Sequence, residues 1–359
     1  MKGLRGGSPV RDGGAPRPKR LRLAPLTLAA LLPAIWGCQE LVLPEEPGTG
    51  PVTNFEFLWE EVDRHYSFFE LKDIDWREIR DDYRPWIRTT MSPNDLFTIL
   101  SLMLDELQDG HVGLIAPFAT HRYSGWYQPY RHNFDFSVVW GRYLDSPRAT
   151  PSRMIFYGWV TSEIGYIHLP TFNGGGWAGE IDDVIETFAD ARGLVVDVRD
   201  NSGGKDANAE KIAGRFSSER RLYRRIQYRN GPDHGDFSPL EDDYLEPRGR
   251  TRFLGPVALL TNRRTFSAGE SFVLAMRTLP GVITVGDTTG GGSGNPLYRE
   301  LPNGWSFSVS RWIEWSLDGT THEGVGFPPD IPKAIPPQLL GFSDPILQTA
   351  VAHLERGGS

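Results

Sequence analysis

Two apolar runs that end in small-residue turns constrain this chain more than any other feature. Gly193-Leu194-Val195-Val196-Asp197-Val198 continues through Arg199-Asp200 into Asn201-Ser202-Gly203-Gly204. Pro256-Val257-Ala258-Leu259-Leu260 leads to Arg264-Thr265-Phe266-Ser267-Ala268-Gly269-Glu270-Ser271. A continuous apolar run suits a strand covered on both faces, and strands alternating with helical stretches suggest the crossover units of an α/β fold. The second run also carries chemistry. A strand that ends at a Ser among small residues and then opens a helix exposes the hydroxyl, and the N–H groups of the helix start can face a developing oxyanion. The same Ser267 also reads as a helix N-cap. The glycine pair at 203 and 204 lets backbone N–H groups turn outward, which suits an anion or oxyanion site. A plain strand-to-helix turn has the same composition.

The N-terminus reads as an address. Arg5, Arg11, Arg17, Lys19, Arg20 and Arg22 form a basic region, and the stretch from Leu23 to Trp36 is mostly apolar. That stretch is short for a bilayer span but suits a signal peptide. It ends Ile35-Trp36-Gly37-Cys38, which resembles the bacterial lipobox and implies cleavage before Cys38 with lipid on that residue. A leader cut near Gly37 beside an incidental Cys is the alternative. Cys38 is the single cysteine of the chain, so no intramolecular disulfide can form. Gln39 follows it rather than Asp, so retention at the inner membrane is not indicated. The following stretch, to Val52, holds Pro44, Pro47, Gly48, Gly50 and Pro51 and reads as an extended tether.

A helical preface comes next. Phe55, Leu58, Val62, Tyr66 and Phe69 make a helical stripe, Asp75 caps a second helix that stops near Pro85, and Ser92-Pro93 opens a third. Gly110 suits the C-terminus of the third helix. His111 follows, on a segment about to become a strand, where it can either point into a cleft or simply donate to a turn carbonyl. Residues 119–160 are rich in Tyr, Trp and Arg, with strand-like alternation around Phe134 to Val139. Gly165 to Leu169 reads as a strand and Ile181 to Asp190 as a helix. The net charge of −8 argues against a nucleic-acid partner, which requires a basic face. The remaining His, Asp and Glu show no metal-ligand spacing, so neither metal nor cofactor is expected.

Asp197-Val198-Arg199-x-Asn201-x-Gly203-Gly204, followed by Thr265-Phe266-Ser267-Ala268-Gly269-Glu270, resembles the S41 peptidases, the tail-specific or C-terminal processing family that includes the tricorn core protease. Gly286-Asp287-Thr288-Thr289-Gly290-Gly291 resembles the family's glycine turn, and Leu301-x-Asn303-Gly304 its hairpin. Glu323-Gly324-x-Gly326-x-Pro328-Pro329-Asp330-Ile331 resembles its closing segment, and Phe57 to Leu114 its N-terminal helices. One branch of the family uses a Ser–Lys dyad, but the Lys position reads Gly291-Gly292-Ser293 here; Lys205 is the nearest substitute. The tricorn-like branch uses Ser, His and Glu, and the resemblance assigns these to Ser267, His111 and Glu323, with the Gly204 and Ala268 N–H groups as the oxyanion hole. The chemistry agrees, because a Ser hydroxyl needs a base near neutral pH and a carboxylate stabilises the imidazolium. The roughly fifty residues between Leu114 and Gly165 are too few for a PDZ module.

The resemblance implies an α/β, crotonase/ClpP-like β-α spiral preceded by a small N-terminal helical domain. The expected layout is a signal peptide over 1–38, a tether over 39–52, the helical domain over 53–118, the peptidase core over 119–340 and a tail helix over 341–359. The implied function is a lipid-anchored serine endopeptidase of the bacterial cell envelope acting on a peptide or protein substrate, the outer membrane being the expected site. The alternatives are a Ser–Lys peptidase using Lys205, or a binding protein for an apolar, retinoid-type ligand lined by the aromatics of 119–160.

Overall fold

The computed structural model of the protein describes residues 48–357. The signal peptide, the lipobox with Cys38 and most of the tether lie outside the described residues. Three helices open the described chain: α1 (Pro51–His65), α2 (Trp76–Tyr83) and α3 (Pro93–Asp105). The Asp75 carboxylate accepts from the Arg77 and Glu78 N–H groups, and Ser92 accepts from Asp95 N–H with Pro93 at the first helical position. Both are N-caps written in the sequence. Then come β1 (Gly113–Ala116), β2 (Ala119–Arg122), α4 (Phe136–Arg142), β3 (Asp145–Ala149), β4 (Phe156–Trp159), β5 (Ile164–His168), α5 (Ile181–Thr187) and β6 (Gly193–Asp197). The second half holds α6 (Asp206–Ala213), β7 (Arg221–Tyr228), β8 (Glu241–Leu245), β9 (Val257–Thr261), α7 (Ala268–Arg277) and β10 (Val282–Gly286). It closes with β11 (Leu297–Glu300), β12 (Ser306–Val309), β13 (Trp312–Trp315), β14 (Ile331–Pro332) and α8 (Pro345–Glu355).

The main sheet has the order β14-β10-β9-β6-β5-β4-β3. From β5 to β6 to β9 to β10 to β14 every pairing is parallel, and each crossover advances one place in the same direction. This steady advance is the β-α spiral. Every residue of β5, β6 and β9 is buried, as expected of strands covered on both faces. One face packs against α5, α6 and α7 through Val184, Ile212 and Phe272. The other is covered by α8 through Ile346, Leu347, Ala350 and Leu354. The C-terminal helix is therefore half of the core's cover rather than a tail.

Two expectations change. Phe134 to Val139 does not run as a strand: Asp135 accepts from Ser137 N–H and starts α4, so the local cap overrides the alternation. The expected boundary near residue 118 runs through a sheet, not between domains. β1 pairs β12 antiparallel, giving a four-stranded sheet of order β11-β12-β1-β2, and α1 and α3 pack with Leu301, Trp305, Phe307 and Ile313 into one core.

A buried ion cluster ties the end of β6 to α8. The Arg199 guanidinium contacts Asp197 at 2.6 Å and Asp344 at 2.8 Å, with all three side chains at 3% exposure or less. The Phe134 ring lies 4.2 Å from its central carbon, and Asp344 also caps α8 through Leu347 N–H. Removing one partner leaves a buried charge uncompensated. Asp344→Ala is therefore expected to lower the unfolding free energy by about 3–5 kcal/mol in a denaturant titration. A loss under about 1 kcal/mol, the scale of an exposed pair, would show that the cluster does not hold the core together.

Candidate active site

The loop after β9 is bound to the loop after β6. Thr265 Oγ1 donates to Val198 O at 2.8 Å, and Phe266 N–H donates to Asn201 O at 2.9 Å. Ser267 follows, immediately before α7, with φ 56° and ψ −127°. A positive φ at a residue with a Cβ costs on the order of 1–3 kcal/mol and persists only where its surroundings enforce it. Gly203 is one such surrounding. A Cβ placed there would lie 2.7 Å from Ser267 Cβ and 2.9 Å from Ala268 N, and its own φ is +93°.

Glu270 is another. Its carboxylate is buried; one oxygen accepts from Thr289 Oγ1 at 2.5 Å and Gly291 N–H at 2.8 Å. The other accepts from Gly292 N–H at 2.7 Å and from Ser267 N–H at 3.3 Å. The sequence reading placed Glu270 in a motif without a task. Its task is to fasten the Ser267 turn to the glycine turn of 288–292. Burial raises its pKa above the ordinary carboxylate range, while His322 and these hydrogen bonds act the other way.

His111 reaches Ser267 from 156 residues away: its Nε2 lies 2.9 Å from Ser267 Oγ. Its backbone is held twice, by His111 N–H donating to Asp109 Oδ1 at 2.8 Å and by Ser308 Oγ of β12 donating to His111 O at 2.7 Å. The ring stacks on Phe266, and Phe266 stacks on Trp126 at 4.1 Å. Gly110 does not end α3, which stops at Asp105. It lets the turn lie against this stack, since a Cβ there would sit 2.5 Å from the Trp126 ring. Burial depresses the His111 pKa from 6.5 to about 4, with Asp109 opposing. The imidazole is thus neutral at physiological pH, and a tautomer with the proton on Nδ1 offers its Nε2 lone pair to the Ser hydroxyl.

The residues of the two expected oxyanion donors line one cavity together with Ser267. Gly203 O accepts from Phe172 N–H and Lys205 N–H donates to Phe172 O, which turns the intervening Gly204 N–H the other way. Among the described residues neither that N–H nor the Ala268 N–H, in the first turn of α7, has a hydrogen-bond partner. Cavities lie to either side. One of about 470 Å³ is lined by His111, Tyr123, Trp126, Phe266 and Ser267, and one of about 360 Å³ by Gly204, Ser267, Ala268, Asp206 and Trp312. The arrangement can bind an extended chain across Ser267 and transfer an acyl group to it.

Glu323 is close to the site but not on the ring. Its Oε1 receives Lys72 Nζ at 2.8 Å and its Oε2 receives Ser293 N–H at 2.9 Å. The carboxylate nearest His111 Nδ1 is Asp109, with Oδ1 at 3.8 Å. Sequence reasoning passed over Asp109, although it stands two residues before His111. Lys72, which also donates to Leu107 O and Gln108 O, gave no local signal at all. Lys205 is exposed and stands at the N-cap position of α6 without a side-chain capping hydrogen bond. Among the described residues no group of three or more His, Cys, Asp or Glu side chains is placed to hold a metal ion.

Residues 163–333 match the family described as Peptidase family S41, and residues 51–105 match the Tricorn protease C1 domain. The chain is 29% identical over 195 residues to the tricorn protease of Thermoplasma volcanium, a match that covers 54% of this chain and 17% of that one. It is 23% identical over 190 residues to the carboxy-terminal processing protease of Bacillus subtilis, covering 52% of this chain and 38% of that protein. Among solved structures, a Parabacteroides merdae protein described as a candidate peptidase superposes with a TM-score of 0.79 at 38% identity. That match covers 86% of this chain and 97% of the other. With two ordered family matches, and a relative this similar over nearly its whole length, the chain belongs to peptidase family S41, a family of serine-type peptidases.

Proposed function

We propose that this protein is a serine endopeptidase of the cell envelope, with Ser267 as nucleophile and His111 as general base. The observation that carries the reading is the 2.9 Å contact between Ser267 Oγ and a neutral His111 ring, beside two unpartnered N–H groups. His111 Nε2 takes the hydroxyl proton as Oγ attacks the scissile carbonyl. The oxygen that becomes negative is received by the Gly204 and Ala268 N–H groups. His111 then gives its proton to the leaving amine, and a water attacks the acyl-enzyme with the same ring as base. The tricorn and carboxy-terminal processing relatives are proteases, which supports a peptide or protein substrate. The aromatic wall of Tyr123 and Trp126 opens onto the Ser267–His111 pair, so it favours substrate side chains there over a separate apolar ligand. Anchoring through lipid on Cys38, with the enzyme facing the periplasm or the surface, rests on the lipobox-like Ile35-Trp36-Gly37-Cys38.

Ser267 should be labelled by a fluorophosphonate. Ser267→Ala is expected to abolish labelling and His111→Ala to slow it by about 10²–10⁴-fold, while Lys205→Ala changes it little. Labelling dependent on Lys205 and not on His111 would move the chain to a Ser–Lys mechanism. The pH profile has a definite sign. The neutral ring is the active form, and burial lowers its pKa to about 4. The labelling rate should therefore rise through about pH 4 and be level before pH 6. A limb centred near 6.5, the value of an unperturbed His, would show that the ring is not held in this buried position.

The anchor is tested separately. Cys38→Ala is expected to move the protein from the membrane fraction to the soluble fraction in cell fractionation. Persistence on membranes after a salt wash would exclude lipid at that residue as the anchor.

A further inference from the structure

We infer that Asp109, rather than Glu323, is the carboxylate that positions His111. The inference rests on the reading of His111 as the base. His111 Nδ1 is buried and has no hydrogen-bond partner among the described residues, yet this is the atom that carries the proton when Nε2 faces Ser267. Asp109 Oδ1 lies 3.8 Å from it, on a side chain with no exposed surface. That carboxylate is fixed from two directions: Oδ1 accepts the His111 N–H at 2.8 Å, and Oδ2 accepts Ser310 Oγ at 2.7 Å. Among the described residues, His111 is the one basic side chain within 4 Å of Asp109. The 3.8 Å gap is about 1 Å beyond hydrogen-bond distance, and catalytic hydrogen bonds are often long before substrate binds.

Glu323 is placed for another task. The Lys72 ammonium lies against one oxygen at 2.8 Å, so the charge it could offer an imidazolium is already compensated. Burial pushes Glu323 up to about 8, with Asp109 adding to the rise and Lys72 opposing it. Glu323 holds Lys72, and Lys72 holds the Leu107 and Gln108 carbonyls that lead into Asp109. During acylation the Ser267 proton goes to His111 Nε2 and then to the leaving amine. Asp109 faces the imidazolium between those transfers and stabilises it.

The test is fluorophosphonate labelling of the full chain as a function of pH, with thermal unfolding measured on each variant. Asp109→Asn should slow labelling by up to about 10⁴-fold, the scale of an orienting carboxylate lost from a triad. Asp109 raises the His111 pKa against the lowering effects of burial, Arg122, Lys72 and His322. Its removal should therefore shift the lower pH limb further down, which a purely structural defect would not do. Glu323→Gln should cost less than about tenfold and leave the limb in place. If Asp109→Asn does not fold, Ser310→Ala, which frees only the outer oxygen, should show a smaller slowing and a limb displaced from wild type. A larger loss in Glu323→Gln than in Asp109→Asn overturns the inference, as does a limb that moves in neither the Asp109 nor the Ser310 variant. Failure of the parent reading is distinct: wild-type protein would remain unlabelled, or His111→Ala would be labelled at the wild-type rate.

Discussion

The buried carboxylate of Glu270 is the constraint on which the site depends. A carboxylate inside a core is tolerated only when its lone pairs are met by donors, and here four donors meet it: Thr289 Oγ1 and the N–H groups of Gly291, Gly292 and Ser267. The first three belong to the turn after β10 and the last to the turn after β9. The same group that satisfies its own desolvation therefore fixes the spacing between Ser267 and the neighbouring loop. It also holds Ser267 in a backbone conformation that a residue with a Cβ rarely adopts.

From that carboxylate a polar chain runs around the site and returns to it. Ser293, the next residue along the glycine turn, gives its N–H to Glu323; Glu323 pairs with Lys72; Lys72 bonds to the carbonyls of Leu107 and Gln108, just ahead of Asp109 and His111. Two carboxylates and one ammonium share this buried space. Half-satisfied networks of this kind are costly and fully satisfied ones are rigid. Rigidity is what the Ser267–His111 contact requires, since small displacements of a base from its nucleophile lose large factors in rate.

The spiral explains why the parts meet. Each parallel crossover moves one strand along the sheet, so the loops after β6, β9 and β10 end side by side at the C-terminal edge of the strands. Ligand and catalytic sites of parallel sheets form at such edges. The histidine does not come from the spiral. It is delivered by the turn before β1, whose sheet is completed by β12 from the far end of the chain. Preface and core are thus bound in one sheet, which explains why no division falls near residue 118.

Local signals in the sequence determined the strands at 193–197 and 257–261, the caps at Asp75 and Ser92, the turn that carries Ser267 and the glycine pair at 203 and 204. These follow from burial patterns, capping chemistry and turn conformation, all of which act over a few residues. The family pattern further picked out His111 and Glu323 as neighbours of the site. Tertiary structure alone decided that the last helix should cover the sheet and that Lys72 should occupy Glu323. It also put Asp109 nearest the free nitrogen of His111. The reason is range. Periodicity and capping report on neighbours along the chain, whereas the Ser267–His111 contact joins residues 156 positions apart. Which of two carboxylates faces a buried ring depends on where a distant ammonium comes to rest, and no spacing in the sequence encodes that.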